Sequence, residues 1–273
     1  MFRTLLTLAL STLLSHAVSI KILPLGDSLT AGCGTLASPQ NNWTSVWLSE
    51  PHGSPTPYST LSGGFRAPLY SALTSMGFDI TMVGSQGPHG PADLPTAAKY
   101  HEGHPGITIR ALHALLPTWS AFEPDIVLLM LGANDINQDR SLANMTADLS
   151  ALLKDTRAAL PHATVIVQTL MRMVVAARPD FMGAVAAFNA ALPAVTAAGN
   201  ALLLDSGTLS GLCTPEVSPL QRLCTECNEP SGGKPAACVV NASNYARVHP
   251  TLAGYSLLAG YQAAFIGALL ERR

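Results

Sequence analysis

One apolar run restricts the fold of this chain more than any other feature. Residues Asp125–Leu131 read Asp-Ile-Val-Leu-Leu-Met-Leu, with no polar residue after the first. A strand without alternating polar positions must be covered on both faces, which is typical of a central strand in a parallel sheet. Shorter runs predict four further strands. They lie at Ile20–Leu25, Asp79–Val83, Ala163–Thr169 and Ala201–Leu204.

Helical segments alternate with these predicted strands. Apolar residues at helical spacing predict helices over Phe65–Met76, Leu142–Ala159 and Phe181–Ala198, and a last helix from His249 to about Leu270. The alternation predicts an α/β fold of three layers, α/β/α, with a five-stranded parallel sheet in the middle. No segment of the 273 residues reads as a linker, so we expect one domain over 20–273.

The first residues have the pattern of a secretory signal peptide. Arg3 precedes the apolar stretch Thr4–Leu14, which is too short to span a bilayer, and small residues follow at Ala17 and Ser19. We therefore expect a signal peptide over 1–19 and a secreted, extracellular protein; the alternative is a buried N-terminal helix. No later segment has about 18 uninterrupted apolar residues, so we expect no membrane span.

Acceptor sequons for N-glycosylation agree with secretion. They begin at Asn42, Asn144 and Asn241. The formal net charge is −2 and only 12% of residues are charged, which argues against nucleic acid or an anionic membrane surface as a partner. We expect a monomer.

The stretch 206–244 differs in composition and periodicity from the rest of the chain. It is rich in Gly, Pro and Ser, shows little periodicity, and holds four of the five cysteines. In an oxidising compartment an even local set favours two disulfides, although Cys-x-x-Cys spacing is also that of a zinc site. We expect a disulfide-stapled insertion, and a buried free thiol at Cys33. The four cysteines are Cys213, Cys224, Cys227 and Cys238.

Three polar residues offer the parts of an ester hydrolase. Ser28 follows the first strand, and a hydroxyl becomes a nucleophile when a base takes its proton. Asn134 follows the central strand, and its amide can donate to an oxyanion. His249 follows the last strand and can act as the base. Each has a plainer alternative: a helix cap for Ser28, a turn residue for Asn134 and a capping or surface residue for His249.

The segment His101–Thr108 is a fourth dense group of polar residues. His101 and His104 are three apart, and Gly and Pro interrupt any helix, so the pattern is not that of a helical zinc site. The better interpretation is a loop in which Gly106 lets a backbone N–H approach a substrate oxygen. We expect no metal here.

Four short segments occur in the order of the four sequence blocks of SGNH (GDSL-type) hydrolases. The run His101–Thr108, with Gly63-Gly64-Phe65-Arg66 upstream, resembles most closely carbohydrate esterase family 3, which includes acetylxylan esterases. The resemblance extends from about Ile20 to the C-terminus. The segments are Gly26-Asp27-Ser28-Leu29-Thr30, the glycine of His104-Pro105-Gly106-Ile107-Thr108, Gly132-Ala133-Asn134-Asp135 and Val248-His249-Pro250.

This resemblance implies roles for single residues. Ser28 would be the nucleophile, His249 the base, and Asn134 a donor of the oxyanion hole. Gly106 and the Ser28 backbone N–H would be the other two donors. The resemblance also implies a flavodoxin-like sheet of strand order 2-1-3-4-5, with no metal or other cofactor.

The chain departs from the family pattern at Ala246. The family has an aspartate at this position, three residues before the histidine, and loss of the orienting acid can cost about 10⁴ in turnover in a serine protease. Either a Ser–His dyad works with a backbone carbonyl on the imidazole, or another acid has taken over, or activity is lost. Asn244 and Asp205 are the nearby candidates in sequence.

The sequence thus predicts a secreted serine esterase that deacetylates a plant cell-wall polysaccharide such as acetylated xylan. The alternatives are an esterase or lipase acting on small or lipid esters, a catalytically impaired carbohydrate-binding homologue, and a binding module in 206–244 that anchors the enzyme. Trp43, Trp47 and Trp119 are candidates for sugar stacking, but core packing is the more common fate of a tryptophan.

Overall fold

A computed structural model describes residues 19–32, 63–87, 94–171, 180–207, 250 and 252–272. Its centre is a parallel sheet. The strands are β1 Ile20–Gly26, β2 Ile80–Met82, β3 Glu102–Gly103, β4 Ile126–Met130, β5 Thr164–Gln168 and β6 Leu202–Leu204. The main strands lie in the order β2-β1-β4-β5-β6, and β3 pairs with β1 at one end. When β3 is left out, this is the predicted order 2-1-3-4-5.

The three-layer α/β/α architecture is confirmed, and the strand count needs one correction. Within the described part of the chain the sheet has six strands, where the sequence predicted five. The additional strand, β3, has two residues, which is too short for any periodicity to reveal. It pairs in parallel with the end of β1, with Leu25 opposite Glu102 and Gly26 opposite Gly103.

Helices cover both faces of the sheet. Steps from β1 to β2 and from β4 to β6 run in opposite directions across the sheet, so right-handed crossovers put their helices on opposite faces. The helices are α1 Ser28–Ala31, α2 Arg66–Ser75, α3 Ile109–Ala114, α4 Leu116–Ser120, α5 Ala133–Asn137, α6 Leu142–Ala159, α7 Phe181–Ala198 and α8 Leu252–Leu270, with a 3-10 turn at Thr96–Ala98. In agreement with the opposite faces, α2 packs against α8, whereas α6 packs against α7 and α3.

The predicted central strand is the centre of the core. All five residues of β4 are buried, as expected for a strand covered on both faces. Trp119 is also fully buried and its indole N–H donates to the Leu112 carbonyl at 3.3 Å, so it packs in the core and is not a sugar platform.

Among the described helices one, α7, is long and apolar enough to cross a membrane by length and composition. Its apolar face is buried at Phe181, Val185, Phe188 and Leu192, and the helix packs against α6. This arrangement is that of a core helix in a layered α/β fold.

Several predictions fall on residues outside the described ranges. Asn144 is described: it is exposed in the first turn of α6, and its backbone N–H donates to the Ser141 hydroxyl at 3.2 Å. The predictions for the signal peptide over 1–18, Cys33, Asn42, Trp43, Trp47, the four cysteines of 213–238, Asn241, Asn244, Ala246 and His249 lie outside the described part of the chain.

Candidate active site

The carboxyl ends of three strands meet at one edge of the sheet. In the register of the sheet, Gly26 is opposite both Met130 of β4 and Gly103 of β3. In open α/β sheets, ligands bind outside the carboxyl ends at the point where strand order reverses, which here lies between β1 and β4. Asp27, Ser28 and Asn134 follow these two strands and flank this crevice.

Ser28 is the first residue of a single helical turn that begins directly after β1. It is 9% exposed. The N-cap of this turn is Asp27, whose Oδ1 accepts a hydrogen bond from the Leu29 N–H at 2.9 Å. The capping role that one alternative gave to Ser28 therefore belongs to its neighbour. Gly26 permits the close approach to β4, because a Cβ there would lie 2.1 Å from the Met130 carbonyl oxygen.

Asn134 joins the ends of two other segments. Its Nδ2 donates to Asp27 Oδ2 at 3.2 Å and to the Ile107 carbonyl at 3.0 Å. The amide thus lies between the residue before Ser28 and the residue after Gly106. Both contacts use the same nitrogen, which has two hydrogens. A substrate oxygen would therefore share or replace one of these acceptors.

Gly106 occupies the corner of a tight turn. The Ile107 N–H donates to the His104 carbonyl at 3.1 Å, Pro105 precedes the glycine, and Gly106 has φ 79°. These are the features of a type II turn, whose third residue needs positive φ. Within the described residues the Gly106 N–H has no hydrogen-bond acceptor, and no atom lies within 4 Å of a Cβ built on it. The backbone donor borders open space.

Glu102 and His104 form a buried pair beside this turn. His104 Nε2 lies 2.6 Å from Glu102 Oε2, and Glu102 Oε1 accepts a hydrogen bond from the Ser85 N–H. Glu102 is fully buried and His104 is 8% exposed. No role for the pair was predicted from the sequence. The available signal was the two-residue spacing, which puts both side chains on one side of an extended segment.

Two neighbouring carboxyl groups in the crevice have raised pKa values. Burial raises the pKa of Asp27 from 3.8 to about 7, and the charge of Asp135 adds to the rise, while the bond from Leu29 opposes it. Burial likewise raises the pKa of Asp135 to about 6, against the bond from the Ile109 N–H and the charge of Arg140. Asp135 Oδ2 accepts from Ile109 at 3.0 Å and Oδ1 lies 3.2 Å from Arg140 Nε.

The segment Gly63–Arg66 braces the turn that bears Ser28. Gly32, at the end of that turn, touches Gly64: a Cβ on Gly32 would lie 2.3 Å from the Gly64 nitrogen. Arg66 is fully buried and donates to the carbonyls of Ala31 at 3.5 Å, Ala98 at 3.3 Å and Lys99. Burial lowers its pKa to about 10.

The structure brings together Ser28, Gly106 and Asn134, and does not describe His249. Asp205, one candidate for the missing acid, follows β6, and its Oδ1 accepts a hydrogen bond from the Thr169 hydroxyl at 2.9 Å. No group of three or more metal-binding side chains suited to an ion occurs among the residues that the structure describes.

Comparisons with known proteins bear on the fold and the family of this chain. No curated protein matches the chain. Among solved structures, the family 3 carbohydrate esterase of Clostridium thermocellum is similar at 22% identity and TM-score 0.59, covering 93% of this chain and 98% of that one. A carbohydrate esterase family 3 protein of Talaromyces cellulolyticus matches at 20% identity and TM-score 0.60, covering 93% and 99%.

A further similar structure is Axe2, an acetylxylan esterase of Geobacillus stearothermophilus, at 19% identity and TM-score 0.57, covering 91% of this chain and 94% of that one. At these identities the likeness shows a shared fold. The GDSL-like Lipase/Acylhydrolase family profile matches residues 83–257, well over half of the chain. The chain therefore belongs to the GDSL-like lipase/acylhydrolase family, and it is a carboxylic ester hydrolase of the SGNH type.

Proposed function

We propose that this protein is a secreted serine esterase that removes acetyl groups from a plant cell-wall polysaccharide such as acetylated xylan. The observation that carries the proposal is the convergence at the β1–β4 crevice of three groups: the Ser28 turn, the Asn134 amide, and the Gly106 N–H, which has no acceptor within the described residues. Ester hydrolysis needs a nucleophile and fixed donors for the developing oxyanion, and this edge of the sheet offers both.

In the proposed reaction, the Ser28 Oγ attacks the acyl carbon and its proton passes to the His249 imidazole. The carbonyl oxygen becomes an oxyanion that the N–H groups of Ser28 and Gly106 and the Asn134 Nδ2 stabilise. Collapse of this intermediate breaks the ester bond, and the alcohol leaves with the proton from His249. Water then repeats the sequence on the acyl-enzyme and releases the acid.

The acetyl preference rests on likeness to the carbohydrate esterases and on the sequence resemblance. An esterase or lipase with the same catalytic groups would differ in preferring longer acyl chains, so acyl-chain length separates the two.

The test is acetate release from acetylated xylan, with other acetylated glycans and p-nitrophenyl esters of increasing chain length in parallel. The proposal predicts acetate release from the glycan and a fall in kcat/KM as the acyl chain lengthens. Ser28→Ala should lower the rate by at least about 100-fold with the melting temperature unchanged. Preference for long acyl chains, with no acetate from any glycan, would instead indicate a lipid esterase.

A further inference from the structure

The Glu102–His104 pair is a buried pair of titratable groups that the proposed reaction does not use. Glu102 has both oxygens engaged, one by His104 Nε2 at 2.6 Å and the other by the Ser85 N–H. The contact with Glu102 orients the His104 ring, because the side-chain oxygen and the ring nitrogen lie within hydrogen-bonding distance. A carboxylate with no exposed surface is costly unless it is paired and hydrogen-bonded, as it is here.

The pair is attached to the turn that carries Gly106. His104 is the first residue of that turn, and its backbone N–H donates to the Gly26 carbonyl at 2.9 Å, two residues before Ser28. Its carbonyl accepts the bond that closes the turn, from Ile107. With its ring held by Glu102 and its backbone held by β1, His104 fixes the front of the turn relative to Ser28.

The rear of the turn is fastened by residues that follow β4. Asn134 Nδ2 donates to the Ile107 carbonyl at 3.0 Å, and Asp135 Oδ2 accepts from the Ile109 N–H at 3.0 Å. Gly106 therefore lies between two fixed ends. Donors of an oxyanion hole act through being held in place before the charge develops, so the front fastening bears on catalysis without touching the substrate.

We propose that Glu102 and His104 are positioning residues, which hold the Gly106 N–H where the oxyanion of the ester develops. This inference rests on the proposed esterase function. The hydrogen bonds of the pair join three segments of the chain. These are the loop after β2 through Ser85, the short strand β3 through Glu102, and the turn that carries Gly106 through His104.

Two substitutions of His104 separate positioning from bulk stability. His104→Ala removes the ring contact, whereas His104→Gln keeps an N–H donor at about the distance of Nε2. Loss of an interaction that is made only in the transition state lowers kcat and leaves KM nearly unchanged. The matched control is Asp155→Asn, at a second histidine–carboxylate contact, in which His113 Nε2 lies 2.8 Å from Asp155 Oδ2 between α3 and α6.

The experiment measures kcat and KM on p-nitrophenyl acetate, with melting temperatures, for wild type, Ser28→Ala and these three variants. We expect His104→Ala to lower kcat about 10- to 100-fold with KM within about threefold, His104→Gln to recover most of the loss, and Asp155→Asn to match wild type. If His104→Ala does not fold, Glu102→Gln takes its place with an expected loss of about tenfold, because it presents a donor to Nε2.

The inference is overturned if kcat of the His104→Ala or Glu102→Gln variant stays within about threefold of wild type, or if the loss lies in KM alone. It is also overturned if Asp155→Asn loses kcat equally. A wild type without esterase activity, or a Ser28→Ala variant that keeps it, would overturn the proposed function and this inference with it.

Discussion

Two asparagines at the same edge of the sheet differ in the partners that their side chains bind. Asn189, on α7, binds one residue twice at the end of β5: its Oδ1 accepts from the Leu170 N–H at 2.8 Å and its Nδ2 donates to the Leu170 carbonyl at 2.7 Å. Asn134, after β4, uses its Nδ2 on Asp27 and Ile107, which belong to two different segments. Asn189 thus fixes a single residue, whereas Asn134 connects two separate segments of the chain.

The contrast extends to the partners. Asn189 pairs with backbone groups, which do not titrate. Near it, the Ser206 hydroxyl and the Gln262 amide both donate to the buried Gln168 side chain. Asn134 pairs with a buried carboxyl whose pKa lies near 7. Asn189 therefore makes a structural contact, whereas Asn134 lies in the β1–β4 crevice beside a carboxyl whose charge and hydrogen bonds can change during a reaction.

The largest expected effect is that of Asn134→Ala. Loss of one oxyanion donor lowers kcat by about 10²- to 10³-fold in acyl transfer, so we expect a fall of this size with a small change in KM. Asn189→Ala, the matched truncation, should lower the melting temperature and leave kcat unchanged. Steady-state kinetics on p-nitrophenyl acetate decide the matter. Equal kcat losses in the two variants would erase the proposed difference between the two ends of the sheet.

Gly106→Ala should have the next largest effect. Gly106 and Gly77 both have positive φ, 79° and 93°. Among the described residues no atom lies within 4 Å of a Cβ built on either, so alanine brings similar backbone strain to each, about 1–2 kcal/mol. Gly77 precedes β2, at the opposite edge of the sheet. We expect about a tenfold loss of kcat for Gly106→Ala only. A kcat for Gly77→Ala that falls as far would assign the loss to strain alone.

Asp27→Asn should have a smaller effect on rate. The asparagine Oδ1 can still cap the Ser28 turn, but an NH₂ group would face the Asn134 Nδ2, and two donors repel. Asn134 would then turn away, so we expect kcat to fall by about 3- to 10-fold. Kinetics should be measured at a pH well above 7, where Asp27 of the wild type is ionised, with Asp155→Asn as the control. An unchanged kcat would mean that Asp27 does not orient the amide.

The smallest effect concerns stability and pH. The folded pKa of Asp27 is raised from 3.8 to about 7, so between these values the folded state binds more protons than the unfolded state. Its contribution to the free energy of unfolding is therefore complete below about pH 4 and is lost as the pH rises towards 7. Urea denaturation should show Asp27→Asn gaining about 1–2 kcal/mol relative to wild type from pH 5 to 7. A constant difference would contradict the raised pKa.

Regular elements of this fold could be predicted from sequence because their signals are local. The helices Leu142–Ala159 and Phe181–Ala198 have the predicted bounds, and the predicted strand Asp125–Leu131 is one residue too long at each end. The short strand β3 was missed because it exists only through pairing with β1, a contact that no local pattern records.

The places of the candidate residues along the fold could be predicted from sequence where they follow strand ends, and their contacts could not. The turns after β1 and β4, and the Pro-Gly turn at 105–106, follow from strand ends and turn residues. The bond between Asp27 and Asn134 joins residues 107 positions apart, and the raised pKa of Asp27 depends on burial by the whole fold. Packing, and not sequence pattern, decides such properties.

Covalent trapping can show whether Ser28 is the acylated nucleophile of this crevice. The protein would be treated with a fluorophosphonate that reacts with activated serines, and the peptides would be mapped by mass spectrometry while esterase activity is followed. We expect stoichiometric labelling of Ser28 in step with loss of activity. The His104→Ala variant should be labelled no faster than wild type. Full inactivation with the label on another residue, or activity that persists after Ser28 is fully labelled, would contradict it.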